Sequence, residues 1–248
     1  MCGRYHMDEE MTEEIRRMVK ILESRLNTGS RDIYPSMEAP VILKNEGGGL
    51  KAASMAWGFP GRDKKQLLIN ARSETALERP SFSRAVSHRR CVLPARWFYE
   101  WNPEKEKAEF FRKDGSLLYM AGFYELFQEV PRFIILTTQA NPSVRPVHHR
   151  MPLILEKEEL EEWIWENCSM EKFLKKTPGL LECRQEYRQE RLFFFIREPL
   201  KGRSFVYGSC SFFYNLPGVS GMDKALQGFN LTKKYRNATL NLIYRPCL

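Results

Sequence analysis

The sequence predicts an α+β fold, an antiparallel meander flanked by a few helices, and three observations carry that expectation. Short apolar runs are separated by glycine turns, Glu46-Gly47-Gly48-Gly49 and Lys113-Asp114-Gly115 among them, and Asp-Gly between apolar runs is a hairpin signal. Helical periodicity is confined to a few stretches, chiefly after Asp8 and after Leu155. No segment repeats along the chain, which argues against a solenoid or propeller.

Taken in order, the first helix starts at Asp8, a side chain able to cap it, with Glu9 and Glu10 at the positive end of its dipole. Met11, Ile15, Met18, Val19, Leu22 and Leu26 share one face, and Asn27-Thr28-Gly29 ends it. Pro35 and Pro40 punctuate a loop before the short strand Val41-Ile42-Leu43, and the 46–49 turn leads into a strand from Leu50 to Trp57. Trp57-Gly58-Phe59-Pro60 breaks that strand, with aromatics that suit either a core or stacking on bases. In Ile69-Asn70-Ala71-Arg72-Ser73-Glu74-Thr75 the polar residues alternate, as on an extended segment showing one face. A helix with Phe82 and Val86 inward then runs to His88-Arg89-Arg90.

Cys91-Val92-Leu93-Pro94 reads as a buried strand entering the aromatic run 95–101, in the middle of which sits Glu100. Two readings of Glu100 stay open: an edge-strand carboxylate in water, or a buried one whose pKa rises into the range of acid–base work. Further strands are expected at roughly 108–112, 117–124 and 133–138. The loop 139–146 delivers Val147-His148-His149-Arg150-Met151-Pro152 into another short strand, Leu153–Leu155. Two histidines and an arginine at such a junction suit a site. Glu156–Glu166 is an acidic helix with Leu160, Trp163 and Ile164 inward, and a shorter helix covers about 170–176.

The chain has 248 residues, 43% hydrophobic and 12% aromatic, enough for a folded core. No apolar run of about 18 residues occurs, and the polar N-terminus is unlike a secretion signal. The expected location is therefore intracellular: cytoplasm or nucleoid in a prokaryote, nucleus in a eukaryote. Cys2, Cys91, Cys168, Cys183, Cys210 and Cys247 form no Cys-x-x-Cys pair, so neither a disulfide framework nor a zinc site is expected. Cys2, Cys91, His148 and His149 lack the usual ligand spacing, and no metal or cofactor is assigned. The net charge of +8 suggests an anionic partner. Most of the excess lies beyond residue 200, however, where seven Lys and Arg face Asp223 alone. Bulk charge does not by itself establish nucleic-acid binding.

The residue with the most distinctive chemistry is Cys2. If Met1 is trimmed, Cys2 carries a free α-amine (reference pKa about 7.7–8.0) beside a thiol (about 8.5), and both are reactive near neutrality. Such a pair captures an aldehyde: the amine forms an imine and the thiol closes a five-membered thiazolidine. Alone, a Met-Cys start also fits an ordinary initiator followed by a small hydrophobe.

Four segments together resemble the SRAP family, the SOS response-associated peptidases now regarded as abasic-site processing proteins. They are Met1-Cys2-Gly3-Arg4-Tyr5, Asn70-Ala71-Arg72-Ser73-Glu74-Thr75, Pro94-Ala95-Arg96-Trp97-Phe98-Tyr99-Glu100-Trp101 and His148-His149-Arg150-Met151-Pro152, with Trp57-Gly58 and Thr137-Thr138 as further signposts in the same order. The resemblance covers about residues 1–165 and implies a single α+β domain on a curved, barrel-like antiparallel sheet. It implies that Cys2 attaches to the ring-opened aldehyde of an abasic site in single-stranded DNA, in the DNA damage response. Asn70 would position Cys2, Glu100 would shuttle protons, and His148 would protonate the sugar oxygen. Arg4, Arg72 and Arg150 would grip flanking phosphates, and Trp101 and the Trp57 region would support or stack on bases. The partner would be abasic single-stranded DNA, not a membrane, and the protein is expected to be a monomer. Residues 1–200 would form the catalytic domain. Residues 201–248, basic and aromatic, do not match the family's usual ending.

Two other readings are carried forward. One is a cysteine peptidase with Cys2 as nucleophile and His148 as base; the other is a module that binds single strands without covalent chemistry. The peptidase reading does not explain why the cysteine sits at the terminus. The binding-module reading leaves Cys2, Asn70, Glu100 and His148 without a task.

Overall fold

The computed structural model describes residues 2–19, 21–22, 29–61, 63, 66–166 and 168–185, with the backbone of 192–194 and 208–210. The chain divides into Met1–Glu186 and Tyr187–Leu248. The first unit is built on a closed ring of five strands. Glu38–Lys44 pairs antiparallel with Leu50–Trp57 and, through Ile42 and Leu43, with Arg90–Ala95. Arg90–Ala95 pairs with Leu118–Phe127, which pairs with Val130–Gln139. A parallel contact of Arg132 and Phe133 with Ala56 and Trp57 closes the ring. Val41, Leu93, Met120, Phe133 and Ile135 share one face of these strands and are all fully buried, as are Val92 and Phe123 on the other face. At Gly122 two strands and the core meet. A Cβ there would lie 2.5 Å from Leu93 Cδ2 and 2.6 Å from the Ile134 carbonyl oxygen.

A second sheet of five strands leans on the ring, in the order Glu182–Gln185, Lys107–Phe111, Trp97–Trp101, Tyr5–Met7 and Arg31–Ile33. Its inner face contributes Tyr5, Phe98 and Phe110 to the core. The sheet brings the first residues of the chain alongside Trp97–Trp101, with Tyr5 opposite Phe98. Short helices cover the rest: Pro80–His88, with Phe82, Ala85 and Val86 inward, then Leu160–Trp165 and Met170–Leu174. The α+β barrel-like expectation is met. No helix among the described residues is long and apolar enough to cross a membrane.

Local differences from the sequence reading have physical causes. The first helix, Glu9–Met18, is capped by Asp8 as expected, its carboxylate accepting the Met11 N–H at 2.8 Å. It stops at Val19, in an extended conformation, because Ile21–Leu22 joins the sheet parallel to Lys51 and Ala52. Leu26 and the stop signal 27–28 lie outside the described residues. Pro40 sits inside the 38–44 strand, not in a loop. The strand's second neighbour pairs only at Ile42 and Leu43, so the missing N–H at Pro40 breaks no ladder bond on that side. The 201–248 segment lies outside the described residues apart from the backbone of 208–210, which pairs antiparallel with 192–194.

Gly122→Ala should destabilise the protein by about 1–3 kcal/mol through overpacking. Chemical denaturation of the two proteins checks this; an unchanged midpoint would contradict the packing described at this crossing.

Candidate active site at the N-terminal cysteine

Cys2 is fully buried where the chain enters the second sheet. Its carbonyl accepts a 2.8 Å hydrogen bond from Asn70 Nδ2, and its thiol lies 3.8 Å from the Arg4 carbonyl oxygen. Asn70 is held in register because Asn70–Arg72 runs parallel to the ring strand at Ile135–Thr137. Trp97–Trp101 turns Phe98 and Glu100 inward, and Glu100 is only 2% exposed. That settles the two readings of this carboxylate in favour of burial. Burial raises its pKa from 4.5 to about 7, against the pull of the nearby chain α-amine. The Cys2 thiol is pushed far up, by burial first and by the Glu100 charge second.

His148 closes the site. Its Nδ1 stands 3.9 Å from Glu100 Oε1 and 3.0 Å from the Arg150 backbone nitrogen. Nδ1 also lies 3.0 Å from the Arg150 carbonyl oxygen, so the Arg150 backbone presents it with both a donor and an acceptor. Burial lowers the His148 pKa, with the chain amine and Arg150 adding to the effect and the Arg150 backbone opposing it. Asn141, which the sequence reading passed over, shapes the turn carrying this histidine. Buried, it accepts the Ser143 and Val144 N–H groups on Oδ1 and donates from Nδ2 to the carbonyls of Pro178 and Gly179. Asn141-Pro142-Ser143 was its available signal, since Asn before Pro starts turns.

Cys2, Asn70, Glu100 and His148 thus come together from four distant parts of the chain. The DNA-facing candidates divide. Arg72 is exposed. Trp101, 36% exposed, lines a surface cleft of about 380 Å³ beside His148 together with Asn102, Pro103, Arg145, Pro146 and His149. Arg4 is half-buried over the Tyr99 ring, with its Nε 2.8 Å from Asp32, a carboxylate that also takes the Tyr99 hydroxyl and His6 Nδ1.

Two expectations are corrected. Trp57 cannot stack on a base: it is fully buried between Tyr5 and Phe133, and its Nε1 donates to the Ile69 carbonyl at 2.9 Å. The ring closure at this residue is what buries it. Arg150 is not an open phosphate grip. It is 7% exposed, and its two Nη groups are engaged by the Glu74 carboxylate at 2.8 and 2.9 Å and by the Thr137 carbonyl. Among the described residues no group of three or more His, Cys, Asp or Glu is placed to hold a metal ion.

The sequence model of the family described as SOS response associated peptidase (SRAP) matches residues 1–189. The chain belongs to the SRAP family. Among its relatives is the abasic site processing protein YoqW of Bacillus subtilis, 31% identical over 180 residues, covering 66% of this chain and 80% of that one. Another is the abasic site processing protein YedK of Escherichia coli, 28% identical over 181 residues, covering 68% and 82%. A crystal structure of a Bordetella bronchiseptica protein superposes with a TM-score of 0.64 at 23% identity, over 75% of this chain and all of the other. One from Bacteroides thetaiotaomicron gives 0.63 at 22%, over 74% and 91%. These two likenesses establish that the SRAP member shares their fold.

The elevated Glu100 pKa has a measurable sign. The native state holds this proton up to about pH 7 while the unfolded chain releases it near 4.5, so the wild type loses stability as pH rises through that window. Glu100→Gln removes the dependence. From pH 4 to pH 8 the stability difference should move in the variant's favour by about 3 kcal/mol. Denaturant titrations across that range check it, and a parallel pair of pH curves would contradict a buried, proton-retaining Glu100.

Proposed function

We propose that this SRAP protein processes abasic sites in DNA, and that it does so by joining Cys2 covalently to the lesion in single-stranded DNA. The observation that carries the reading is the burial of Cys2 against Glu100 and His148, with Asn70 fixing its carbonyl. Curated relatives named abasic site processing proteins support the substrate. We assign the chemistry to residues 1–200, acting as a monomer inside the cell on DNA, with residues 201–248 as a separate segment.

Removal of Met1 hands the α-amine to Cys2. The amine adds to C1′ of the ring-opened sugar, and loss of one water from the carbinolamine gives an imine. The thiol sulfur then bonds to the same carbon, its proton passing to the imine nitrogen, which closes the thiazolidine. Each step moves a proton at a buried centre. Glu100, half-protonated near pH 7, serves as donor and acceptor in turn. His148 protonates the sugar oxygen on ring opening from its imidazolium form, which burial makes a stronger acid. The imine stage is where lyase-like chemistry can enter, and ring closure by sulfur competes with it. Arg72 and Arg4 hold flanking phosphates, contacts that position without reading sequence. Trp101 stacks on a neighbouring base.

The peptidase reading fares worse. A cysteine protease needs a thiolate, favoured by a depressed pKa, whereas burial drives the Cys2 thiol the other way.

The test is a denaturing gel of the protein with single-stranded DNA carrying one abasic site. A shifted band should survive heat and detergent, vanish with Cys2→Ala, and vanish when one residue is added before Cys2. A band that persists in Cys2→Ala, or none with Met1 confirmed absent by mass, would overturn the proposal.

A further inference from the structure

Asn70 and His148 flank Cys2 and Glu100 from two segments far apart in sequence, and one ion pair straps those segments together. Glu74 sits in the 3-10 turn Ser73–Thr75 that directly follows the Asn70–Arg72 strand. Its two carboxylate oxygens take Arg150 Nη1 and Nη2 in a bidentate pair at 2.8 and 2.9 Å. Arg150 opens the strand Arg150–Pro152 and lies two residues after His148. The anchor is reinforced at Thr137, which accepts Arg150 Nη2 on its carbonyl and donates from its hydroxyl to Ala71. The Arg150 backbone is therefore fixed from both ends. It is this backbone that meets His148 Nδ1, with its nitrogen and its carbonyl oxygen each at 3.0 Å.

Resting on the function proposed above, we infer that Glu74 is a positioning residue for the reaction: through Arg150 it sets the proton affinity of His148 and holds His148 in register with Asn70. The arrangement does two things beyond packing. A bidentate pair with a planar guanidinium fixes orientation as well as distance, so the backbone groups that meet His148 Nδ1 are held in place. Glu74 also neutralises the positive charge nearest His148 on its own strand. The other charged or titratable groups facing His148 are Glu100 on the 97–101 strand and the adjacent His149. Of these, only Glu100 offsets Arg150. Loss of the Glu74 charge therefore leaves a more positive field at the ring, and protonation becomes harder.

The test compares the wild type with Glu74→Gln, which keeps shape and removes charge, in three measurements. In imidazole ¹⁵N spectra the titration midpoint of His148 should move to lower pH in the variant. Crosslinking to abasic single-stranded DNA should slow about tenfold at pH 7, a fraction of what general acid–base catalysis supplies. The alkaline-side limb of its pH–rate profile, where His148 loses the proton it donates, should move with the His148 midpoint. A thermal melt separates these effects from unfolding. An unchanged His148 titration and pH profile in a folded variant would overturn the inference, leaving Glu74 a structural tie. If the wild type forms no crosslink at all, the proposed function fails, while the spectra still decide whether Glu74 governs His148.

Discussion

The site depends on one hydrogen bond between residues 68 apart in sequence, from Asn70 to the carbonyl of Cys2. A chain terminus is ordinarily the loosest part of a protein. Here the first residues are drawn under the sheet, and a buried carbonyl without that donor would cost roughly 1–3 kcal/mol. The donor is itself immobilised by the ring, since Asn70–Arg72 is paired along Ile135–Thr137. The ring closes where Trp57 meets Phe133. Anything that opens it also releases the side chain holding the terminus.

With the terminus pinned, the electrostatics follow from burial. Glu100 is carried into the interior by strand alternation and its carboxyl is pushed up to about 7. His148, half-buried among positive groups, is pushed down from 6.5. The two shifts run in opposite directions: near pH 7 Glu100 can both give and take a proton, while His148 rests mainly neutral and is a stronger acid when protonated. The thiol, raised by the same burial, is a proton donor at rest. That suits an amine-first sequence better than direct thiolate attack.

Much of this is legible in the order of the amino acids. Polar residues at Asn70, Glu100 and His148 interrupt patterns that local secondary structure does not require, and those interruptions mark the site. Asp8 announces its helix, and the glycine turns announce the hairpins. Contacts set by ring closure and register cannot be read in the same way. Trp57 beside Gly58 offers the same letters whether it faces bases or the core, and only the parallel pairing with Arg132 and Phe133 decides. Arg150 looks like a phosphate ligand until Glu74 is found against it. The helix face that runs on to Leu22 and Leu26 fails because Leu22 is claimed by a strand at Ala52. In each case a partner distant in sequence overrides a local pattern.

The most direct test of the central claim is the bonding at the captured carbon itself. Single-stranded DNA with a ¹³C label at C1′ of one abasic site would be reacted with the protein, digested, and the labelled adduct read by NMR and mass spectrometry. The account predicts a saturated carbon bonded to both nitrogen and sulfur, on a peptide beginning at Cys2, with the loss of one water. An imine carbon, an unreacted aldehyde, or attachment through any other residue would contradict it.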